Sequence, residues 1–199
     1  GLEFLLNKIA RPNPERVVSL VRGNVMDGVE RRGKFIVFRL SGGARMVVHL
    51  KMTGKFLLGR PVDSRDLPRH VHAVLTLERG VTLWYEDIRQ FGFFLGLAPE
   101  EYDHWLAAEA LGPEPFQLSA DEFAERLLSR RGRIKPLLLN QSFLSGLGNI
   151  YVDESLFASG IHPLRPAESL DREEARRLHR EMVRILEAAI ELRGSTVND

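Results

Sequence analysis

Between Val25 and about Leu97 the apolar residues come in short runs separated by turn signals, whereas beyond Gly112-Pro113-Glu114-Pro115 they recur at the three-and-four spacing of a helix. A chain that changes period in this way is constrained to a β domain joined to a helical one, because neither pattern can bury its apolar face in the other's geometry. Two prolines and a glycine within four residues mark the change.

In the first part, Phe35, Val37 and Arg39 alternate with Ile36, Phe38 and Leu40, and Ser41-Gly42-Gly43 supplies a turn before Met46-Val47-Val48. His70 to Leu77 and Val81 to Tyr85 repeat the design around Glu78-Arg79-Gly80. Several short strands at this spacing predict an antiparallel sandwich or barrel. Helices are predicted at Pro14 to Val21 and Pro99 to Ala110. In the second part, Ser119 with Glu122 and Asp171 with Glu174 have capping-box spacing. The latter opens an amphipathic helix with Ala175, Leu178, Met182, Ile185, Ala189 and Leu192 on one face. The reading is an α+β chain, with an antiparallel β-sandwich over residues 1–112, a linker over 113–118 and a helical domain over 119–199.

With 199 residues, 44% hydrophobic and 28% charged, the chain is an ordinary globular one, not a disordered or collagenous one. It has no cysteine, which excludes disulfides, a thiol nucleophile and thiolate zinc sites. Apolar runs such as Phe35 to Phe38 and Leu137 to Leu139 fall far short of the ~20 residues of a membrane span. No signal peptide is recognisable, so a cytoplasmic location without membrane partners is expected. The net charge of +1 names no partner. Its distribution is more informative, since Arg126 to Lys135 holds five basic residues and no acid, and Arg31, Arg32 and Lys34 form a second cluster. Such clusters can seat phosphates, although a solvated helix face fits equally well.

Between two helical stretches, Leu139 to Tyr151 carries Gly146 and Gly148, which permit backbone angles and close approaches that other residues resist. A helix predicted to start near Asn149 would point free N–H groups at an anion.

The run LNQSFLSGLGNIYVDESLFASGIHP from Leu139 to Pro163 resembles the helix-two-turn-helix signature of the formamidopyrimidine-DNA glycosylase and endonuclease VIII family of base-excision repair enzymes. The resemblance continues through LGPEP at Leu111, DIRQFG at Asp87 to Gly92, VHLKMTG at Val48 to Gly54 and RRGKF at Arg31 to Phe35, and favours the bacterial formamidopyrimidine branch. It implies a β-sandwich followed by a helical domain, with double-stranded DNA containing a damaged base bound in the cleft between them. The implied protein is a monomeric glycosylase with AP lyase activity that removes oxidised purines such as 8-oxoguanine and formamidopyrimidines.

By the same resemblance Lys34 is catalytic: it contacts phosphate beside the lesion and assists elimination. His70, Arg89 and Arg130 match backbone-binding positions, and Lys135 and Asn149 match further phosphate contacts. Met52, Arg89 and Phe91 match the side chains that enter the duplex where the damaged nucleotide has left. Glu154 matches an acidic residue near the lesion pocket, with helix capping as the alternative. Read without the motif, Lys34 is a solvated charge after a hairpin, His70 an incidental histidine, and Met52 and Phe91 core residues.

The chain also departs from the pattern. The family nucleophile is an N-terminal proline followed by a glutamate, whereas this sequence opens Gly1-Leu2-Glu3, downstream of that position. Glu3 matches a helix position and is expected to have no catalytic role. The stretch after Leu6 looks short, Arg193 to Asp199 match the approach to the lesion-capping region, and the family's C-terminal four-cysteine zinc finger has no counterpart. No cofactor is therefore expected in these residues. The expectation is a partial chain that binds DNA weakly and turns nothing over. The alternatives are a non-catalytic DNA-binding relative and, more remotely, a protein-interaction domain.

Overall fold

The computed structural model describes residues 1–60 and 66–192, so the expectation attached to Arg193 to Asp199 lies outside the described residues. Two compact units are present, Gly1–Ala108 and Glu109–Asp199.

The first unit contains β1 (Leu2–Phe4), β2 (Ala10–Arg11), α1 (Pro14–Val21), β3 (Met26–Arg32), β4 (Phe35–Leu40), β5 (Arg45–His49), β6 (Gly54–Gly59), β7 (Val71–Thr76), β8 (Thr82–Asp87), β9 (Phe93–Leu97) and α2 (Pro99–Glu109). The strands form a four-stranded sheet, β1-β7-β8-β6, and a five-stranded sheet, β2-β9-β5-β4-β3. Every pairing is antiparallel except β2 with β9, which run parallel through Ala10 and Arg11. Alternation explains the core: Phe38, Met46, Val48 and Phe94 from the five-stranded sheet pack with Ala73, Leu75 and Tyr85 from the other. Each fully buried large apolar side chain stabilises by about 1.5–3 kcal/mol. Tyr85, Phe56 and Phe94 pack on one another at 4.9–6.0 Å between ring centres, making a stiff base beneath the β5–β6 and β8–β9 loops. Glu3 lies in β1 opposite Val74, so the helix position its resemblance suggested is a strand.

The second unit contains α3 (Ala120–Leu128), α4 (Ile134–Leu139), α5 (Asn149–Ala158) and α6 (Arg172–Glu191). Both capping boxes form, with Ser119 and Asp171 each accepting from the third helical N–H while Glu122 and Glu174 reach back. The core joins Phe123 and Leu127, Ile134 and Leu138, Phe143, Leu144 and Leu147, and Leu178 and Met182. Of the expected α6 stripe, Ala175, Leu178 and Met182 are buried, but Leu192 is 77% exposed.

Residues 113–118 are not a free linker but part of the second unit. Gly112 N–H donates to Gln141 O at 2.9 Å, Ser145 N–H donates to Pro113 O at 2.9 Å, and His179 Nε2 lies 3.1 Å from Pro115 O. Prolines stop a helix here, but they also fix a rigid segment whose carbonyls accept from the helical core.

Candidate nucleic-acid interface

Two loops at one end of the β unit carry the residues singled out for the duplex. Met52 and Thr53 lie between β5 and β6, and Ile88 to Gly92 lie between β8 and β9. Asp87, which has no exposed surface, ties them together. Its Oδ1 accepts from Thr53 Oγ1 and from Arg89 N–H at 3.2 Å, and its Oδ2 accepts from Tyr85 OH at 3.1 Å and Gly92 N–H at 2.9 Å. Thr53 Oγ1 also accepts from Arg89 N–H at 3.1 Å. Burial works against the charge of Asp87, but the donors from Thr53, Gly92, Tyr85 and Arg89 outweigh it and hold the carboxyl below the usual range. Burial, with the Asp87 charge beside it, raises the Tyr85 hydroxyl well above the usual phenol value.

This hub explains the glycines that close both motifs. A Cβ on Gly92 would lie 1.8 Å from the Tyr85 hydroxyl, and one on Gly54 would lie 2.6 Å from the same oxygen. Only glycine lets both loops close on Tyr85.

Above the hub, Met52 is 70% exposed and Phe91 52% exposed, so neither is the core residue that the motif-free reading made it. Arg89 joins them: its guanidinium lies 4.7 Å from the Phe91 ring centre and Nη1 lies 3.0 Å from Met52 Sδ. Two apolar tips and one cation thus form a single projecting group. His70 sits at the turn before β7, its carbonyl accepting from Asp87 N–H at 3.0 Å, while His72 Nε2 lies 3.0 Å from Asp87 O.

Lys34 occupies the β3–β4 turn, which Gly33 makes possible with φ of 57°. Desolvation and the nearby Lys51 charge lower its ammonium from the usual lysine value.

In the second unit the segment between α4 and α5 is held by side chains. Gln141 Nε2 donates to Leu139 O at 2.9 Å and Leu147 O at 3.0 Å, and its Oε1 accepts from Gly146 N–H at 3.0 Å. Gly146 takes φ of 94°, so glycine is required there. Gly148 has ordinary extended angles, which removes that reason for a second glycine. Asn149 begins α5 and is exposed, as expected of a helix N-terminus open to an anion. Arg130 is exposed, 5.9 Å from the Phe143 ring centre. Lys135 is engaged with Asp153, with Nζ 2.7 Å from Oδ1 and 2.9 Å from Oδ2. Arg126 is used internally, donating from Nε to Phe143 O at 2.9 Å. Glu154 is exposed in the interior of α5, so it caps nothing. It borders a shallow depression of about 300 Å³ shared with Tyr151, Arg184 and Ile185.

The zinc that the resemblance attaches to a four-cysteine finger has no ligand set here. The chain has no cysteine, and among the described residues no three His, Asp or Glu side chains cluster to hold a metal. Also among the described residues, no helix is long and apolar enough to cross a membrane.

Sequence reasoning passed over Asp87 as a functional position. Its donors come from residues 53, 85, 89 and 92, and only the D-x-x-x-x-G spacing to Gly92 was visible locally.

Residues 2–94 match the formamidopyrimidine-DNA glycosylase N-terminal domain family, and residues 111–199 match the formamidopyrimidine-DNA glycosylase H2TH domain family. The chain is 43% identical over 187 residues to a formamidopyrimidine-DNA glycosylase of Solibacter usitatus, covering 94% of this chain and 67% of that protein. A formamidopyrimidine-DNA glycosylase of Heliobacterium modesticaldum is 40% identical over 203 residues, covering 100% and 73%. Among solved structures, the Lactococcus lactis enzyme in complex with FAPY-dG-containing DNA superposes with a TM-score of 0.89 at 32% identity, over 98% of this chain and 74% of that one. The same enzyme bound non-covalently to DNA containing an AP site gives 0.89 at 31% identity, over 99% and 74%.

Proposed function

The chain belongs to the formamidopyrimidine-DNA glycosylase family of base-excision repair proteins, and from that premise we propose that the complete protein is a glycosylase with AP lyase activity acting on oxidised purines in duplex DNA. The observation that carries this reading is the Met52–Arg89–Phe91 group, exposed on two loops that one buried carboxylate locks together. Chemistry on a base requires the base outside the stack, at a cost of a few kcal/mol. Apolar side chains that fill the vacated space and a cation that hydrogen-bonds the orphaned partner offset part of that cost.

In this reading Arg130, Asn149 and His70 hold backbone phosphates, and Lys135 does so after exchanging Asp153 for a phosphate. Lys34 contacts the phosphate beside the lesion. Its lowered ammonium value suits a group that also handles a proton during elimination. Glu154 borders the lesion pocket. Base loss proceeds by attack of a terminal secondary amine on the sugar C1′, forming a Schiff base whose β- and δ-elimination cleaves the strand. A polypeptide of residues 1–199 alone opens on Gly1 and supplies no terminal proline. We propose that it binds DNA as a monomer, needs no bound cofactor to do so, and turns nothing over. The protein acts in the bacterial cytoplasm, where chromosomal DNA is accessible.

Borohydride trapping with an 8-oxoguanine duplex tests this. The full-length natural protein is expected to give a covalent adduct and residues 1–199 none. An adduct from residues 1–199 contradicts the inactivity, and lesion-DNA binding without an adduct from the full-length protein identifies a non-catalytic relative.

A further inference from the structure

Phe35 on β4, His49 on β5 and Phe93 on β9 are cross-strand partners in one row of the five-stranded sheet. Their rings form a plate, with His49 stacked on Phe93 at 5.7 Å and 21° and Phe35 edge-on to His49 at 4.9 Å. Three cations gather on it. The Arg11 guanidinium, from β2, lies 3.7 Å from the Phe93 ring centre, and the Lys51 ammonium lies 5.7 Å from the same centre. Lys34 immediately precedes Phe35. Among the described residues, none of the three is paired with a carboxylate. Lys51 N–H donates to His49 Nδ1 at 2.9 Å, which leaves the imidazole proton on Nε2, and Lys51 itself sits at a left-handed φ of 54°.

Like charges gathered without an acid repel one another. Burial and the charges of Lys51, Lys34 and Arg11 together push His49 down to about 4, so it presents a neutral ring carrying one N–H donor. A solvated surface would disperse such charges, whereas a singly charged oxyanion with several acceptor atoms satisfies them together.

We propose that Arg11 and Lys51, with His49 Nε2–H, hold a DNA backbone phosphate next to the one that Lys34 engages. Neither Arg11 nor Lys51 figures among the positions carried over from the family, and the assignment rests on the DNA-binding reading above. Arg11→Gln keeps a planar group over Phe93, and Lys51→Gly removes the charge while relieving the left-handed backbone, so neither should unfold the unit.

Affinity of residues 1–199 for an undamaged duplex is measured from about 50 to 200 mM salt, where each lost phosphate contact reduces the log–log slope by about 0.9. Each variant is expected to show that reduction and roughly eightfold weaker binding at about 0.1 M salt. Lys55→Ala, whose ammonium pairs with Glu86 at 3.1 Å, should keep the wild-type slope. If Arg130→Ala flattens the slope but Arg11→Gln and Lys51→Gly leave it unchanged, the proposed phosphate seat is wrong and the DNA-binding reading stands. If the wild-type chain does not bind duplex at about 50 mM salt, both fall together.

Discussion

Asp87 holds its charge without contact with solvent because donors from two loops and a strand converge on its two oxygens. Its folded value lies below the unfolded one of about 3.9, so its stabilisation is present above that pH and is lost as pH falls further. His49 titrates higher. It drops from 6.5 to about 4 on folding, so the unfolded chain takes up the proton first and stability declines as pH falls across that interval. Acid denaturation of the β unit should therefore proceed in two windows, and Asp87→Asn should abolish the lower one while costing about 3 kcal/mol at neutral pH. A melt series that keeps the lower window in the variant would remove Asp87 from its position as hub. At this scale the family motif brought out Met52, Arg89 and Phe91, which project. Asp87 looks like any turn aspartate in sequence, because most of its partners are distant in the chain.

The elements that could be read from the sequence are those whose determinants are local. Ser119 with Glu122 and Asp171 with Glu174 place both halves of a cap within one turn, and each begins the helix expected of it. The Pro14–Val21 helix likewise has its determinants adjacent, with Asn13 accepting from Arg16 N–H at 2.9 Å. β1, β2 and β6 were not legible. β2 is two residues long and exists only because β9 lies beside it, and β6 is bounded by Gly54 and Gly59, which read as turn residues. Gly59 is instead a position where the Trp84 ring takes the space of a side chain, with a built Cβ 2.2 Å from it. The 113–118 segment was misread for the same reason: Gly and Pro signal a break in the local chain, not whether the break is packed. Gly112 tests that packing. A Cβ there would lie 2.6 Å from Ser142 O and 2.8 Å from Phe143 O, both backbone atoms. Gly112→Ala should destabilise the helical unit by about 1–3 kcal/mol in urea denaturation, and no loss would mean that the segment is a loose connector after all.

For the whole molecule, a net charge of +1 conceals a sorting of charges. Asp121, Glu125 and Glu173 pair with Arg172, Arg176 and Arg180 across α3 and α6. Arg11, Lys34 and Lys51 in the first unit, and Arg130 in the second, stand apart from such pairs. Exposed pairs contribute little stability, so the sorting matters chiefly for where a polyanion can settle. The central claim is that Met52, Arg89 and Phe91 enter the duplex as one group. The most direct measurement places 2-aminopurine beside 8-oxoguanine in a duplex and follows its fluorescence while binding is monitored separately. The wild-type chain should raise the fluorescence as the stack opens, and a Met52→Ala/Phe91→Ala double variant should bind without raising it. Saturated binding by the wild-type chain with no rise, or an equal rise with the double variant, would contradict the account.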